Sequence, residues 1–249
     1  MDYLSELLGG KDIIPCGPLL VDSGGDHPQE GTAAAESDQV MRWLDGQEPG
    51  SVVLASFGSE YFMSEQQIAQ MARGLELSGE RFVWVVRFPK SPNDEDHRGA
   101  ARALPRGFAP ARGLVVEGWA PQRRILSHRA CGAFLTHCGW NSVLESLAAG
   151  VPMVALPLHI DQPLGANLAA ELGAAARVPQ ERFGEFRAED VARAVRGVVR
   201  GEEGRALRRR AGELREVVAR NDADDAQIGE LVRRMAQLCG KGQRVAVPN

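Results

Sequence analysis

The sequence has little of what marks several classes of protein. Its four cysteines among 249 residues include no CxxC pair and are too sparse for a scaffold built on disulfides. No apolar run is long enough to span a membrane, and the amino-terminal MDYLSELLGGKD lacks the basic region and apolar block of a signal peptide. Acidic and basic residues are interspersed and the net charge is -4, so no broad cationic surface is available for nucleic acid or anionic lipid. We therefore expect a cytoplasmic protein with reduced thiols and with no nucleic-acid or membrane partner.

The amino-acid composition supports one globular domain with tails. A hydrophobic content of 44% is ample for a core at this length. Residues 22–37 are rich in Gly, Ser, Ala and acidic side chains, which is typical of a mobile linker. We therefore divide the chain into an amino-terminal interdomain segment with a flexible linker (1–37), one domain (38–240) and a carboxy-terminal tail (241–249).

Apolar runs alternate with segments of helical period along this domain. The runs predicted as strands are 51–59, 81–87, 113–120, 131–137, 151–159 and 174–179. The predicted helices are a short one at 38–44, one that opens at a Ser64 and Gln67 capping box, three at 121–128, 141–150 and 161–173, and charged helices beyond Arg187. Strands separated by helices imply right-handed crossovers, so the predicted fold class is α/β with a doubly wound parallel sheet.

Polar residues at the ends of two predicted strands favour a phosphate ligand. His137 ends one strand, and Asn141 and Ser142 begin the next helix, where free backbone N–H groups and the helix dipole attract anions. Gly58 and Ser59 end the first strand and face the same crevice, because the carboxyl ends of parallel strands share one edge. Two such loops suggest a diphosphate.

Further side chains in the same stretch suit the rest of a nucleotide sugar. Glu145 lies one helical turn after Asn141, so its carboxylate can reach ribose hydroxyls. Trp119 at a strand end offers a flat apolar surface for a base. Asp161 and Gln162 offer acceptors and an amide donor for sugar hydroxyls.

Each of these residues also has a structural explanation. Trp119 alone could be a core aromatic, Glu145 a solvated helix residue, and Asp161 a helix N-cap. Asn141 and Ser142 could simply cap their own helix. An α/β scaffold whose loops are only caps would bind no nucleotide.

Two other chemistries fit the residues poorly. His159 and Asp161 superficially resemble a metal pair, but the sequence offers no third ligand nearby. His137 and Cys138 are adjacent, but neighbours at a strand end point in opposite directions, which disfavours thiol catalysis. We therefore predict neither a metal site nor a thiol nucleophile.

The whole arrangement resembles the signature box of plant family-1 UDP-dependent glycosyltransferases. The pattern W-x-P-Q, H-C-G-W-N-S, a glutamate four residues after the asparagine, and a closing D-Q occupies residues 119–162, with every landmark present. The flanking PCGPLL, WLD, SVVLASFGS and LPRGF segments are also similar to the carboxy-terminal half of that family. The resemblance implies the Rossmann-like C-terminal domain of a GT-B fold, with UDP-sugar as donor substrate and no cofactor.

The resemblance also implies a role for each landmark. The residues implied to hold the donor are Trp119 and the Ala120 backbone at uracil, Gln122 and Glu145 at the ribose, His137, Asn141, Ser142 and Ser59 at the diphosphate, and the Trp140 backbone, Asp161 and Gln162 at the sugar. A closing glutamine in this family usually accompanies glucose. His159 stands where many members carry an aromatic residue, a departure that bears on the choice of sugar.

The family's catalytic base is a histidine paired with an aspartate in the amino-terminal domain, which this sequence does not contain. We therefore expect the donor-binding half of an inverting transferase, whose partner is the amino-terminal acceptor-binding half and which transfers nothing alone. The acceptor class expected from the resemblance is a small lipophilic alcohol or an existing glycoside. The alternative is a stand-alone module that binds UDP or UDP-sugar without transferase activity.

Overall fold

A computed structural model describes residues 2–14, 32–88, 104–105, 108–219 and 222–242. Most of the predicted linker and the tail lie outside these ranges, so the division of the chain into domains stays a prediction. None of the described helices has both the length and the apolar character needed to cross a membrane.

The described strands form one parallel sheet with the order β3-β2-β1-β4-β5-β6. Their bounds are β1 Val52–Ser56, β2 Arg81–Val86, β3 Gly113–Glu117, β4 Cys131–Thr136, β5 Met153–Ala155 and β6 Ala175–Arg177. Every predicted strand is present, which confirms the doubly wound α/β fold class. The predicted strands run too long, most of all at 151–159, because buried apolar residues continue into the loop after β5.

Helices connect the strands and cover the sheet. Their bounds are α1 Asp2–Leu7, α2 Thr32–Asp45, α3 Glu65–Ser78, α4 Gln122–Leu126, α5 Trp140–Ala149, α6 Gln162–Glu171, α7 Ala188–Arg200, α8 Glu202–Val218 and α9 Asp222–Gly242. The helix predicted at 38–44 begins earlier, at Thr32, and so takes in the end of the segment assigned to the linker. Helix α1 was not predicted.

Local sequence signals fix several helix ends. The Ser64 side chain accepts from the Gln67 N–H while the Gln67 side chain accepts from the Ser64 N–H, which confirms the predicted capping box at α3. Helix α5 ends at Gly150 in the left-handed conformation, with φ 71°. The first cap sets where the chain enters α3, and the second sets where it leaves α5.

The core consists of one apolar cluster on each face of the sheet. Alternate residues of β1 point to opposite faces, so Val52 and Leu54 belong to one cluster and Val53 and Ala55 to the other. Helices α2, α4, α5 and α6 pack on the first face, α3 and α7 pack on the second, and α8 contributes to both clusters. Because both faces are covered, only the ends of the strands are left to build a site.

The strand order reverses between β1 and β4, the two central strands. Connections from these strands leave toward opposite sides of the sheet, which opens a crevice at their carboxyl ends. The loop after β1 and the loop after β4 form the two walls of this crevice.

Candidate functional site

The predicted binding residues all follow the carboxyl ends of strands. Ser59 comes after β1, Trp119 after β3, His137 directly after β4, and Asp161 after β5. Parallel strands have their carboxyl ends at one edge, so the sheet brings these four segments to the same side of the domain. Ala120 follows Trp119 in the same loop, and the other predicted residues belong to helices α4, α5 and α6, which begin at this edge.

His137 lies at the bottom of the crevice, where the loops after β1 and β4 meet. Its side chain is buried, with the residue 9% exposed. A Cβ added at Gly58 would come within 2.8 Å of the imidazole Nε2, and one added at Gly139 within 2.6 Å. Gly58 also has φ 76°, which a side chain would strain. The two glycines therefore let the imidazole sit between both walls of the crevice.

Burial sets the charge of this imidazole. Removal from water lowers the pKa of His137 to about 4, and the nearby Asp161 carboxylate opposes that shift only in part. The ring is therefore neutral at neutral pH. A neutral imidazole offers one N–H as a hydrogen-bond donor without placing a cation in the crevice.

Helix α5 begins beside His137, and no side chain forms a hydrogen bond to its N-cap. Its N-cap is Gly139, which makes no side-chain cap hydrogen bond. The first-turn N–H groups of Trp140, Asn141 and Ser142 therefore point out of the helix at its positive end. Cys138 precedes the cap with φ 62°, a strained conformation that turns the chain sharply from β4 into the helix. This is the geometry of an anion site.

Gln122 and Glu145, the two residues predicted to hold a ribose, are in contact. The Gln122 Nε2 donates to the Glu145 Oε2 at 2.8 Å and reaches the Ser142 Oγ at 3.4 Å. Both Gln122 and Glu145 are half-buried. The pair joins the first turn of α4 to the second turn of α5, so a carboxylate and an amide lie next to the uncapped helix end.

The two tryptophans of the stretch are not core residues. Trp119 is half-buried, whereas the core residue Trp84 is only 1% exposed. Trp140 is 53% exposed at the start of α5. An indole with an open face at the carboxyl edge is available to stack on a flat ligand.

Asp161 and Gln162 differ in their environments. Asp161 is exposed and occupies the N-cap position of α6, but its side chain makes no cap hydrogen bond. Gln162 is buried, and its Oε1 accepts from the backbone N–H groups of Leu158 and His159, each at 2.8 Å. The sequence suggested that both residues present acceptors to a ligand. The structure instead uses the Gln162 oxygen to fix the loop after β5.

Burial holds the thiols at the two ends of β4 in their protonated form. Burial raises the pKa of Cys138 to about 12 and that of Cys131 to about 12. Both groups therefore stay protonated at neutral pH. Within the described ranges, no three His, Cys, Asp or Glu side chains gather in a group that could hold a metal ion.

Comparison with known proteins identifies the family. The model of the family described as UDP-glucoronosyl and UDP-glucosyl transferase matches residues 22–207, about three quarters of the chain. The chain belongs to this family. Its signature stretch at 119–162 lies within the matched region, so the resemblance seen in the sequence is confirmed.

Relatives of this glycosyltransferase chain are plant enzymes. Mogroside IIIx synthase of Siraitia grosvenorii is 42% identical over 241 residues, which is 96% of this chain and 49% of the relative. Beta-D-glucosyl crocetin beta-1,6-glucosyltransferase of Gardenia jasminoides is 41% identical, over 79% of this chain and 43% of the relative. The chain thus spans about half the length of the curated relatives it matches.

A solved structure supports the same fold. Phytolacca americana UGT2, complexed with UDP-2fluoro-glucose and pterostilbene, superposes with a TM-score of 0.72 at 35% identity, covering 90% of this chain and 48% of that one. Together with the sheet order, this confirms the Rossmann-like domain of a GT-B fold that the sequence predicted.

The structure of this glycosyltransferase chain brings the predicted residues to one edge and adds contacts that the sequence did not reveal. The sequence predicted that Gly58 lies near a phosphate, and the structure shows that Gly58 and Gly139 also make room for His137. Tyr61 was not considered, yet its ring lies 6.0 Å from that of His159, between centroids. The contacts of Gly58 with His137 and of Tyr61 with His159 join segments far apart in the chain, which no local motif records.

Proposed function

We propose that this chain is the UDP-sugar-binding half of an inverting glycosyltransferase that transfers glucose to a hydroxyl of a small molecule or glycoside. The observation that carries the proposal is the contact between Gln122 and Glu145 beside the uncapped start of α5. A helix end that attracts a diphosphate, next to a carboxylate and amide for ribose hydroxyls, matches the two polar parts of UDP.

In this proposal the domain assists departure of the UDP leaving group. Negative charge grows on the diphosphate as the bond to the sugar breaks. The N–H groups of Asn141 and Ser142 and the α5 dipole stabilise that charge, and neutral His137 adds one more donor. Ser59 would reach the same diphosphate from the opposite wall of the crevice. None of these interactions calls for a cofactor.

The acceptor side belongs to the amino-terminal half. A base there, which the family resemblance implies is a histidine paired with an aspartate, takes the proton of the acceptor hydroxyl as oxygen attacks the anomeric carbon. Attack from the face opposite UDP inverts that carbon. This chain alone would bind UDP and transfer nothing, and it would work in the cytoplasm.

The remaining predicted residues hold the base and sugar. Trp119 would stack on uracil while the Ala120 backbone bonds to its edge. Exposed Asp161 and the backbone of Trp140 would meet the sugar hydroxyls. Gln162 would act through its amide N–H₂, since its oxygen holds the loop. The proposed preference for glucose as the donor sugar depends on Gln162.

The relatives favour an acceptor that already carries sugar. One relative at 41% identity is named for glucosyl transfer to a glucosyl crocetin. We therefore infer that an existing glycoside is the preferred acceptor class for the complete enzyme.

Calorimetry and complementation test this function. The purified chain should bind UDP and UDP-glucose in titration calorimetry without releasing UDP from UDP-glucose when an acceptor glycoside is added. Adding the amino-terminal half as a separate polypeptide should restore transfer. Transfer by the chain alone would contradict the proposal that this chain binds the donor while the amino-terminal half supplies the catalytic base. UDP binding with no transfer after every such addition would favour a stand-alone binding module.

A further inference from the structure

A cavity of about 560 Å³ lies apart from the crevice. It is an open cavity between the amino-terminal ends of α3 and α7 and the loop of residues 178–187 after β6. None of the residues assigned to UDP-sugar lines it. Its volume falls within the range of roughly 300–1,000 Å³ that is usual for small-molecule sites.

The walls of the cavity suit hydroxyl groups. The lining includes the amides of Gln66 and Gln70, the carboxylates of Glu185 and Asp190, and the aromatic ring of Tyr61. Amides and carboxylates supply hydrogen-bond donors and acceptors that can reach hydroxyl groups from several directions. An aromatic ring can pack against the C–H face of a sugar. A pocket for an apolar ligand has mostly apolar walls with only a few polar groups, whereas the walls of this cavity carry several amides and carboxylates.

The charge of the lining disfavours anions. Its carboxylates are Glu181, Glu185 and Asp190, and its one guanidinium is Arg187, which is bonded to Glu181. The Asp190 carboxylate is bonded to Arg193, outside the lining. Glu185 therefore leaves net negative charge in the lining, and the acidic first turns of α3 and α7 offset the positive ends of these helices, so a phosphate or uronic acid is disfavoured.

Hydrogen bonds hold the walls in place. Gln67 accepts from the Tyr61 hydroxyl at 3.0 Å and donates to the Gly184 carbonyl at 2.8 Å, which ties α3 to the loop after β6. Gln70 accepts from the Ala188 N–H at 2.8 Å, which ties α3 to α7. Across the part of the chain that the structure describes, Gln66 and Glu185 make no side-chain hydrogen bond, so both are available to a ligand.

Tyr61 connects this cavity with the sugar end of the proposed site. Its ring lines the cavity and also lies against His159, with centroids 6.0 Å apart. His159 belongs to the loop that Gln162 fixes and that leads into Asp161. A ligand in the cavity therefore lies next to the loop that would hold the donor sugar.

We propose that this cavity is a second binding site, which takes a neutral hexose unit. This proposal rests on the proposed function in one respect: the hexose can be part of the glycosylated acceptor of the transferase. The hexose can also be part of a free oligosaccharide, which would present the same hydroxyl groups to the cavity. A segment of another polypeptide seated there is the competing occupant.

The test is a titration of the isotope-labelled chain followed by amide NMR. Phenyl β-glucoside represents a glycosylated acceptor and gentiobiose a free disaccharide. Either probe should shift the amides of Gly184 and Glu185 in the millimolar range. Phenyl β-glucuronide, which adds one negative charge, should bind several-fold more weakly than the glucoside.

Variants locate the binding. Gln66→Ala and Glu185→Ala should each weaken the probes about fivefold, the effect of one lost hydrogen bond. Glu189→Ala is the matched control, since Glu189 pairs with Arg73 outside the lining and should leave binding unchanged. Preference for the glucoside over gentiobiose indicates the acceptor as the source, and the reverse preference indicates a free sugar.

The outcomes separate this proposal from the function proposed above. Glu145→Ala should weaken UDP and leave the sugar probes unchanged, and Glu185→Ala should do the opposite. If UDP binds but neither sugar shifts these amides, the cavity proposal is overturned and the donor site stands. If the sugars bind and UDP does not, the donor site fails instead. Displacement of the probes by UDP-glucose would also overturn a separate site.

Discussion

Replacement of Glu145 by alanine gives the sharpest test of the UDP site. The Glu145 Oε2 accepts from the Gln122 Nε2 at 2.8 Å, and the side chain is half-buried. Alanine removes the charged acceptor proposed for the ribose and also releases Gln122 from its position. Hydrogen bonds to charged groups contribute about 1.5–3 kcal/mol, so we expect UDP affinity to fall roughly 10- to 150-fold.

Titration calorimetry with two ligands shows whether the ribose is the partner. UDP should bind Glu145→Ala far more weakly than the parent chain, whereas 2′,3′-dideoxy-UDP should bind both with similar affinity, because it lacks the hydroxyls. Glu171→Ala, an exposed carboxylate at the end of α6, is the charge-matched control. Unchanged UDP affinity, or an equal loss for both ligands, would refute the assignment of Glu145 to the ribose.

Three further perturbations test other parts of the site. Gly139→Ala places a Cβ 2.6 Å from the His137 Nε2, so either the imidazole or the start of α5 must move. We expect the affinity for UDP, measured by calorimetry, to fall at least about tenfold. Unchanged affinity would contradict this crowded geometry. The pKa of His137 is lowered to about 4 from 6.5, so its neutral form favours folding above pH 6.5 and that stability is lost as pH falls toward 4, by up to about 3 kcal/mol. Urea unfolding should show a steeper loss over this window for the parent than for His137→Gln, and identical profiles would exclude the shift. Gln162→Ala removes the acceptor of two backbone N–H groups and should cost about 1–3 kcal/mol of unfolding free energy. It should weaken UDP-glucose more than UDP, and an equal effect on both would place Gln162 outside the sugar site.

The sheet and most helix ends were predictable because their signals are local. The Ser64 and Gln67 capping box and the left-handed Gly150 act within one turn of a helix. The end of β5 was not predictable, since Leu156 and Leu158 stay buried after the backbone has left the sheet. Helix α2 begins at Thr32 because the alanines that follow favour helix, although the residues just before it (DHPQEG) include a proline and a glycine.

The candidate site was predictable as a set of residues and not as a set of contacts. Spacing from strand ends identified His137 and Glu145, because parallel strands bring their carboxyl ends together. The contact of His137 with Gly58 depends on the strand order, which puts β4 next to β1. The use of the Gln162 oxygen by the backbone depends on the path of one loop. Such details follow from tertiary packing, which a motif does not encode.

In the donor site proposed above, the hydrogen bonds by which Gln162 fixes the loop bear on any attempt to change the donor sugar. A substitution at this position alters the shape of the loop together with the side chain, so its effect on sugar choice is mixed with a loss of rigidity. Asp161, which is exposed and bonds to no helix N–H, can be varied while the loop keeps its form. Redesign of donor preference is therefore best started at Asp161, with Gln162 held constant.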